Sequence, residues 1–142
     1  LMLGYWNRPA EEAEVLRGDW FVGGDLGSMD DDGYVTHLGR ANELMNAGGY
    51  RVSPLEIEAA LAVCPGVAEI ACTEVRVRSD VSIISAFVVG NGTAIDAEQI
   101  RAFAAERLAA YKVPKQIVFV DKLPRTANGK IQRKALNTLS SR

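Results

Sequence analysis

Two adjacent glycines followed by a Ser-Pro step constrain this chain more than any other feature. Gly48-Gly49 separates two short runs, residues 43–46 and 50–52. A two-residue glycine turn lets both central residues take positive φ, so the stretch predicts a β-hairpin. Ser53-Pro54-Leu55-Glu56 follows at once. Ser53 suits an N-cap, Pro54 suits the first helical position, and Glu56 can reach back to the cap amide. Upstream, Gly39-Arg40 closes an extended run. The chain therefore passes from strand to tight turn to helix, and a domain junction is expected at Ala41–Asn42, between residues 1–41 and 42–142.

Before the junction, residues 10–16 suit two helical turns, with Pro9 as a break. Residues 20–25 and 34–40 predict the strands of a hairpin. Residues 29–33 (MDDDG) form its turn, because Asp and Gly favour turn geometry. A lone hairpin is marginal in water, so this one calls for sheet strands from elsewhere. After the junction, residues 54–63 predict a helix with apolar Leu55, Ile57, Ala60 and Leu61, ended by Pro65-Gly66. Residues 67–77 and 82–89 predict strands about a turn at Ser79-Asp80. Residues 96–111 predict the longest helix, with Asp96 as cap and Gln99 at its third position. Ile100, Phe103, Ala104, Leu108 and Tyr111 recur on one face, which reads as core. Residues 116–121 give a third strand and 132–139 a closing helix. The fold class is α+β: a β-hairpin, then a three-stranded sheet packed with helices.

Composition narrows the function classes. The chain has 48% apolar and 24% charged residues, as a globular protein does. No apolar run is long enough to span a bilayer. The first residue is Leu rather than Met, so a targeting segment upstream stays open. Cys64 and Cys72, both in apolar surroundings, read as buried reduced thiols and point to a cytoplasmic protein. With one histidine, His37, a His-rich metal site lacks parts, and His37 reads as a strand residue. No metal ligands are assigned. Net charge is −2 but unevenly spread: residues 1–35 hold two basic and eight acidic side chains, residues 121–142 six basic and one acidic. A basic tail fits nucleic acid, a solvated face, or a positive loop offered to phosphates.

Three stretches carry a family resemblance. Residues 20–27 (WFVGGDLG), 39–58 (GRANELMNAGGYRVSPLEIE) and 123–133 (LPRTANGKIQR) resemble, in order, the ribose-binding, junction and C-terminal lysine motifs of adenylate-forming enzymes. These are the acyl-CoA synthetases, the peptide-synthetase adenylation domains and the luciferases. The resemblance covers essentially all 142 residues. It implies that residues 1–41 are the tail end of an N-terminal adenylation domain and residues 42–142 a mobile C-terminal lid. The phosphate-gripping loop and acid pocket of such enzymes lie upstream, so these residues alone are expected to be inactive, with that N-terminal domain as partner.

The same resemblance implies site roles. Asp25 accepts hydrogen bonds from the ribose hydroxyls of ATP, a task suited to a group whose oxygens are acceptors only. The family usually has Thr two residues earlier, where this chain has Gly23. Arg40 also reaches the ribose, using its rigid fork of donors. Asn42 falls at the hinge, where Asp or Lys is usual. Gly48, Gly49 and Tyr50 line the path of coenzyme A, and Arg51 meets the nucleotide phosphate. Lys130 is the catalytic lysine, set in a flexible loop and bridging carboxylate and α-phosphate. Lys112 and Lys115 are either CoA-phosphate contacts or surface lysines.

The implied enzyme is an AMP-forming acid–CoA ligase that uses ATP, Mg²⁺, a carboxylic acid and CoA. Lysine acetyltransferases and deacetylases acting on Lys130 are implied partners. One alternative is an adenylating enzyme that loads a carrier protein. Another is a non-catalytic module whose basic tail meets nucleic acid, which the acidic balance and the lack of aromatics near the tail disfavour. Nucleic acid is therefore not an expected partner.

Overall fold

A computed structural model describes residues 2–78 and 81–139; the turn expected at Ser79-Asp80 lies outside them. Contacts divide the chain into two units, Leu1–Asn42 and Glu43–Arg142.

In the first unit α1 (Pro9–Val15) starts on Pro9, so this proline opens a helix rather than only breaking the chain; its fixed φ suits the first position. Two short strands follow, β1 (Leu16–Arg17) and β2 (Trp20–Phe21), paired antiparallel around Gly18, whose φ is +60°. The larger hairpin pairs β3 (Asp25–Met29) with β4 (Val35–Arg40). Its turn is closed by Asp30, whose Oδ1 accepts from the amides of Asp32 (3.1 Å) and Tyr34 (2.9 Å).

This corrects the expected strand at residues 20–25. Gly24 at φ +73° ends the extended run. Trp20 and Phe21 then pair backwards with Leu16 and Arg17, while the hairpin's first strand begins at Asp25. Among the described residues of this unit only Gly39 is buried. Trp6, Trp20, Met29, Tyr34 and Val35 all lie exposed.

The second unit begins with the glycine-turn hairpin, β5 (Met45–Ala47) against β6 (Tyr50–Val52). Gly48 and Gly49 have φ of +59° and +93°, the left-handed pair that a type I′ turn requires. Helix α2 (Pro54–Leu61) follows with Pro54 in its first turn, but Ser53 makes no side-chain capping bond. Glu56 does not fold back either: its carboxylate pairs with Lys112. Then come β7 (Val67–Arg76), β8 (Ser82–Gly90), α3 (Ala97–Ala105), β9 (Gln116–Phe119) and α4 (Arg133–Leu136). The sheet order is β7-β8-β9, antiparallel between the first two and parallel between the last two.

Both faces of this sheet are covered, which is why β8 is apolar on both faces apart from the buried Ser85, whose Oγ donates to Gln116 Oε1 at 2.9 Å. On one face Cys72, Ile84, Ala86 and Val88 pack with Ile57 and Leu61 of α2, Ile100 and Ala104 of α3, and Met45 and Val52 of the hairpin. On the other, Ala71, Val75 and Phe87 pack with Leu123 and with Leu136 of α4. The capping box of α3 forms as expected. Asp96 Oδ1 accepts from the Gln99 amide at 2.8 Å, and Gln99 Oε1 accepts from the Asp96 amide at 2.9 Å.

The helix stops at Ala105, short of the expected 111. The amides of Arg107 and Leu108 both turn in to the Ala104 carbonyl, and Ala109 is extended (ψ 146°). Tyr111 therefore leaves the core face and stacks on Tyr50. The closing helix is likewise only the four residues of α4.

Candidate functional site

Three groups of side chains carry chemistry. The first is on the β3–β4 hairpin. Asp25 and Arg40 are register partners. Arg40 Nε lies 2.8 Å from Asp25 Oδ1, and its Nη1 donates to the Gly23 carbonyl at 3.0 Å. His37 Nε2 stands 3.4 Å from the same Oδ1. One carboxylate oxygen is thus held by two side chains, while among the described residues Oδ2 has no hydrogen-bond partner. About half of each of the Asp25 and Arg40 side chains is exposed.

The sequence predicts His37 to be a plain strand residue. It is one, but it also contacts Asp25. It pairs with Gly27, two residues along from Asp25, and that cross-strand register was the signal that could have found it. Asn42 lies in a 3₁₀ turn, Ala41–Glu43, at the boundary between the units. Its φ is not positive: Asn7 is the one non-glycine with positive φ among the described residues. The tolerance of asparagine for left-handed backbone is therefore unused here.

The second group is the β5–β6 turn. Asn46 Oδ1 accepts from the Gly49 amide at 3.0 Å, and the Asn46 amide donates to Glu74 at 2.7 Å, tying the turn to β7. A Cβ on Gly48 or Gly49 would meet nothing within 4 Å, so the backbone torsions of the turn, not crowding within this unit, demand glycine. Tyr50 stacks on Tyr111 with ring centroids 4.4 Å apart. Beside the turn a cavity of about 240 Å³ is lined by Ala47, Gly48, Ile83, Tyr111, Val113 and Lys115, among others. Lys112 is committed to Glu56, a bond that raises its pKa above the ordinary lysine value. Arg51 is exposed on β6.

The third group is the Lys130 loop. Its side chain is exposed and has no hydrogen-bond or ion-pair partner among the described residues. The backbone, expected to be flexible, is instead closely bonded. Arg125 and Ile131 form an antiparallel bridge. The Thr126 amide donates to the Lys130 carbonyl (2.8 Å) and the Gly129 amide to the Thr126 carbonyl (2.9 Å). The Lys130 amide donates to Thr126 Oγ1 at 3.1 Å.

Just beyond Lys130, Arg133 is the most deeply committed charge of the unit. It makes two bonds to the Glu58 carboxylate, one to Glu43 (3.2 Å) and one to the Cys72 carbonyl (3.0 Å). Burial works against its charge, but the two carboxylates outweigh burial and its pKa rises. Cys64 and Cys72 are buried free thiols, as expected. Burial, and then the Glu58 carboxylate, push the Cys72 pKa up, so neither a nucleophile nor a metal ligand is offered there. Among the described residues no group of three or more His, Cys, Asp or Glu is placed to hold a metal ion. No helix among them is long and apolar enough to cross a membrane.

The family description "AMP-binding enzyme C-terminal domain" matches residues 56–130. A 2-succinylbenzoate–CoA ligase of Geobacillus kaustophilus (strain HTA426) is 44% identical over 137 residues, covering 96% of this chain and 28% of that protein. A long-chain-fatty-acid–CoA ligase of Bacillus subtilis (strain 168) is 43% identical over 137 residues, covering 96% of this chain and 24% of that protein. The solved o-succinylbenzoate CoA synthetase of Bacillus subtilis, in complex with the acyl-adenylate intermediate OSB-AMP, aligns with a TM-score of 0.89 at 31% identity, covering 96% of this chain and 28% of that one. The chain thus spans roughly a quarter of the length of the relatives it matches.

Proposed function

The chain belongs to the AMP-binding enzyme C-terminal domain family, and from this we propose that it works as the C-terminal part of an AMP-forming acid–CoA ligase. In the first half-reaction a carboxylate attacks the α-phosphate of ATP, giving acyl-adenylate and pyrophosphate. In the second, the CoA thiol attacks the acyl carbon and AMP leaves. Residues 1–41 belong with the upstream adenylation domain. Residues 42–142 are a lid that turns about Asn42 between the two steps. That the first unit buries almost nothing of its own supports its reading as part of a larger sheet.

In this reading Asp25 offers its open oxygen to the ribose diol. Arg40 both orients that carboxylate and reaches the sugar. Arg51 meets phosphate, and Gly48, Gly49 and Tyr50 line the CoA path. Mg²⁺ neutralises phosphate charge in such chemistry; among the described residues no group of three or more His, Cys, Asp or Glu is placed to hold it. The matched relatives act on acids as different as succinylbenzoate and long-chain fatty acids, so the acid belongs to the upstream part. A cytoplasmic location accords with the two free thiols.

The observation that carries the reading is Lys130: an ammonium with no partner among the described residues, on a backbone fixed by hydrogen bonds. A pre-placed cation stabilises charge that builds as pyrophosphate leaves more than it stabilises the ground state. Lys130→Ala in the full-length enzyme is expected to slow acyl-adenylate formation by about 10²-fold or more. The same variant, given ready-made acyl-adenylate and CoA, is expected to form thioester at near the parental rate. Acetylation removes the same charge, so an acetyltransferase and deacetylase acting on this exposed lysine would produce the same split reversibly. Equal loss in both half-reactions overturns the two-orientation lid.

A further inference from the structure

The peptide linking Gly129 to Lys130 is held at both ends. Its hydrogen, on the Lys130 nitrogen, is donated to Thr126 Oγ1 at 3.1 Å. Its oxygen, on Gly129, accepts from Arg125 Nη1 at 2.8 Å. The other arm of that guanidinium pairs with Glu69, a residue of β7. Arg125 therefore ties the Lys130 peptide to the central sheet. Gln132 adds to the frame by donating from Nε2 to the Arg125 carbonyl at 3.2 Å. A peptide gripped at both its N–H and its C=O is restrained in its plane, which fixes the N–Cα bond of Lys130, and the Thr126 amide, donating to the Lys130 carbonyl at 2.8 Å, restrains the far side of the same Cα. Gly129 is the residue that would otherwise let the plane swing, since its φ of +81° lies in a region where glycine is freest.

We propose that Arg125 is a positioning residue for Lys130: by bridging Glu69 to the Gly129 carbonyl it aims the lysine ammonium and so acts on the adenylation step only. The proposal rests on the role given to Lys130 above. Arg125 is suited to this because a planar guanidinium serves two acceptors at fixed angles, which an ammonium on a flexible stem does not. Its half-exposed side chain also means that removing it leaves the core intact.

The test uses the full-length enzyme and four proteins: parent, Arg125→Ala, Lys130→Ala and the double variant. Arg125→Ala is expected to lower kcat for acyl-adenylate formation by about tenfold or more through misplacement, with KM for ATP unmoved. Thioester formation from supplied acyl-adenylate stays at the parental rate. The double variant is no slower than Lys130→Ala alone, because Arg125 acts through the ammonium that is already gone. Amide exchange at Gly129 and Lys130 quickens in Arg125→Ala while the melting temperature holds.

Multiplying losses in the double variant, or a raised KM for ATP at unchanged kcat, would overturn the proposal by giving Arg125 a contact of its own with substrate. Full adenylation by Arg125→Ala beside an impaired Lys130→Ala overturns it as well, and leaves the role of Lys130 standing. Full adenylation by Lys130→Ala overturns the role of Lys130 itself, and the positioning role with it.

Discussion

The β3–β4 hairpin and the β5–β6 hairpin are neighbours in sequence, yet different forces hold them. The second is anchored from below: Met45 and Val52 are 2% and 1% exposed and sit in the main core. Its tip carries little charge, and its glycines answer to torsion alone. The first has no such anchor. Its one buried residue is Gly39, and what joins its strands besides the ladder is the exposed cluster of Asp25, Arg40 and His37. One region rests on a core of its own. The other presents an exposed carboxylate over almost no core.

The same contrast appears in the ion pairs, and there it can be broken by measurement. Glu58 and Arg133 are 12% and 14% exposed, whereas Asp25 and Arg40 are about half exposed. Removing one partner of a buried pair leaves a desolvated charge, while an exposed pair is screened by water. Glu58→Gln is therefore expected to destabilise the second unit by about 3 kcal/mol in urea unfolding. Asp25→Asn is expected to cost well under about 1 kcal/mol. Equal costs would show that the two units share one stability and that the contrast drawn from burial is false.

A smaller effect tests where the two regions part. Proline at position 42 locks φ and removes an amide donor. In the full-length enzyme Asn42→Pro is expected to slow thioester formation at least about tenfold, or ~1.4 kcal/mol, while acyl-adenylate formation largely persists. Loss of neither half-reaction removes Asn42 from the hinge role. Equal loss of both, with a lowered melting temperature, marks misfolding instead.

What could be read beforehand follows the range of the interaction. The Gly-Gly turn, the Pro54 helix start and the Asp96–Gln99 capping box are local, so residue types a few positions apart sufficed. The failures lie where a distant partner competes, as Lys112 does for Glu56, where a register decides, or where a single torsion ends an element. Nothing near Arg133 announces Glu58 and Glu43, which stand 75 and 90 residues away, nor does the sequence near Arg125 announce Glu69. The strand expected at residues 20–25 differs from the one observed because apolar content locates an extended run while Gly24 decides where it ends. Tyr111 kept helical spacing with Ile100 and Ala104, but the helix had already closed at Ala105, and the tyrosine went to Tyr50 instead.

The smallest expected effect sharpens the first hairpin's role. The family motif has threonine where this chain has Gly23. A Cβ at Gly23 would lie 3.6 Å from Asp25 Oδ2 and 3.6 Å from Phe21 Cε1, both ordinary contacts. Gly23 is also absent from the positive-φ glycines, so its backbone accepts a side chain without strain. The hydroxyl of Gly23→Thr would stand beside the one oxygen of Asp25 that Arg40 and His37 leave open, and would add one hydrogen-bonding group where a ribose diol is proposed to bind. One such bond contributes about 0.5–1.5 kcal/mol, so Gly23→Thr in the full-length enzyme is expected to tighten ATP binding by roughly two- to tenfold. The gain should vanish in an Asp25→Ala background, because the hydroxyl and the carboxylate serve the same ligand. Weaker binding in Gly23→Thr would mean that the hydroxyl occupies the oxygen meant for the sugar. The open oxygen would then be the binding group, and glycine at position 23 would be what keeps it open.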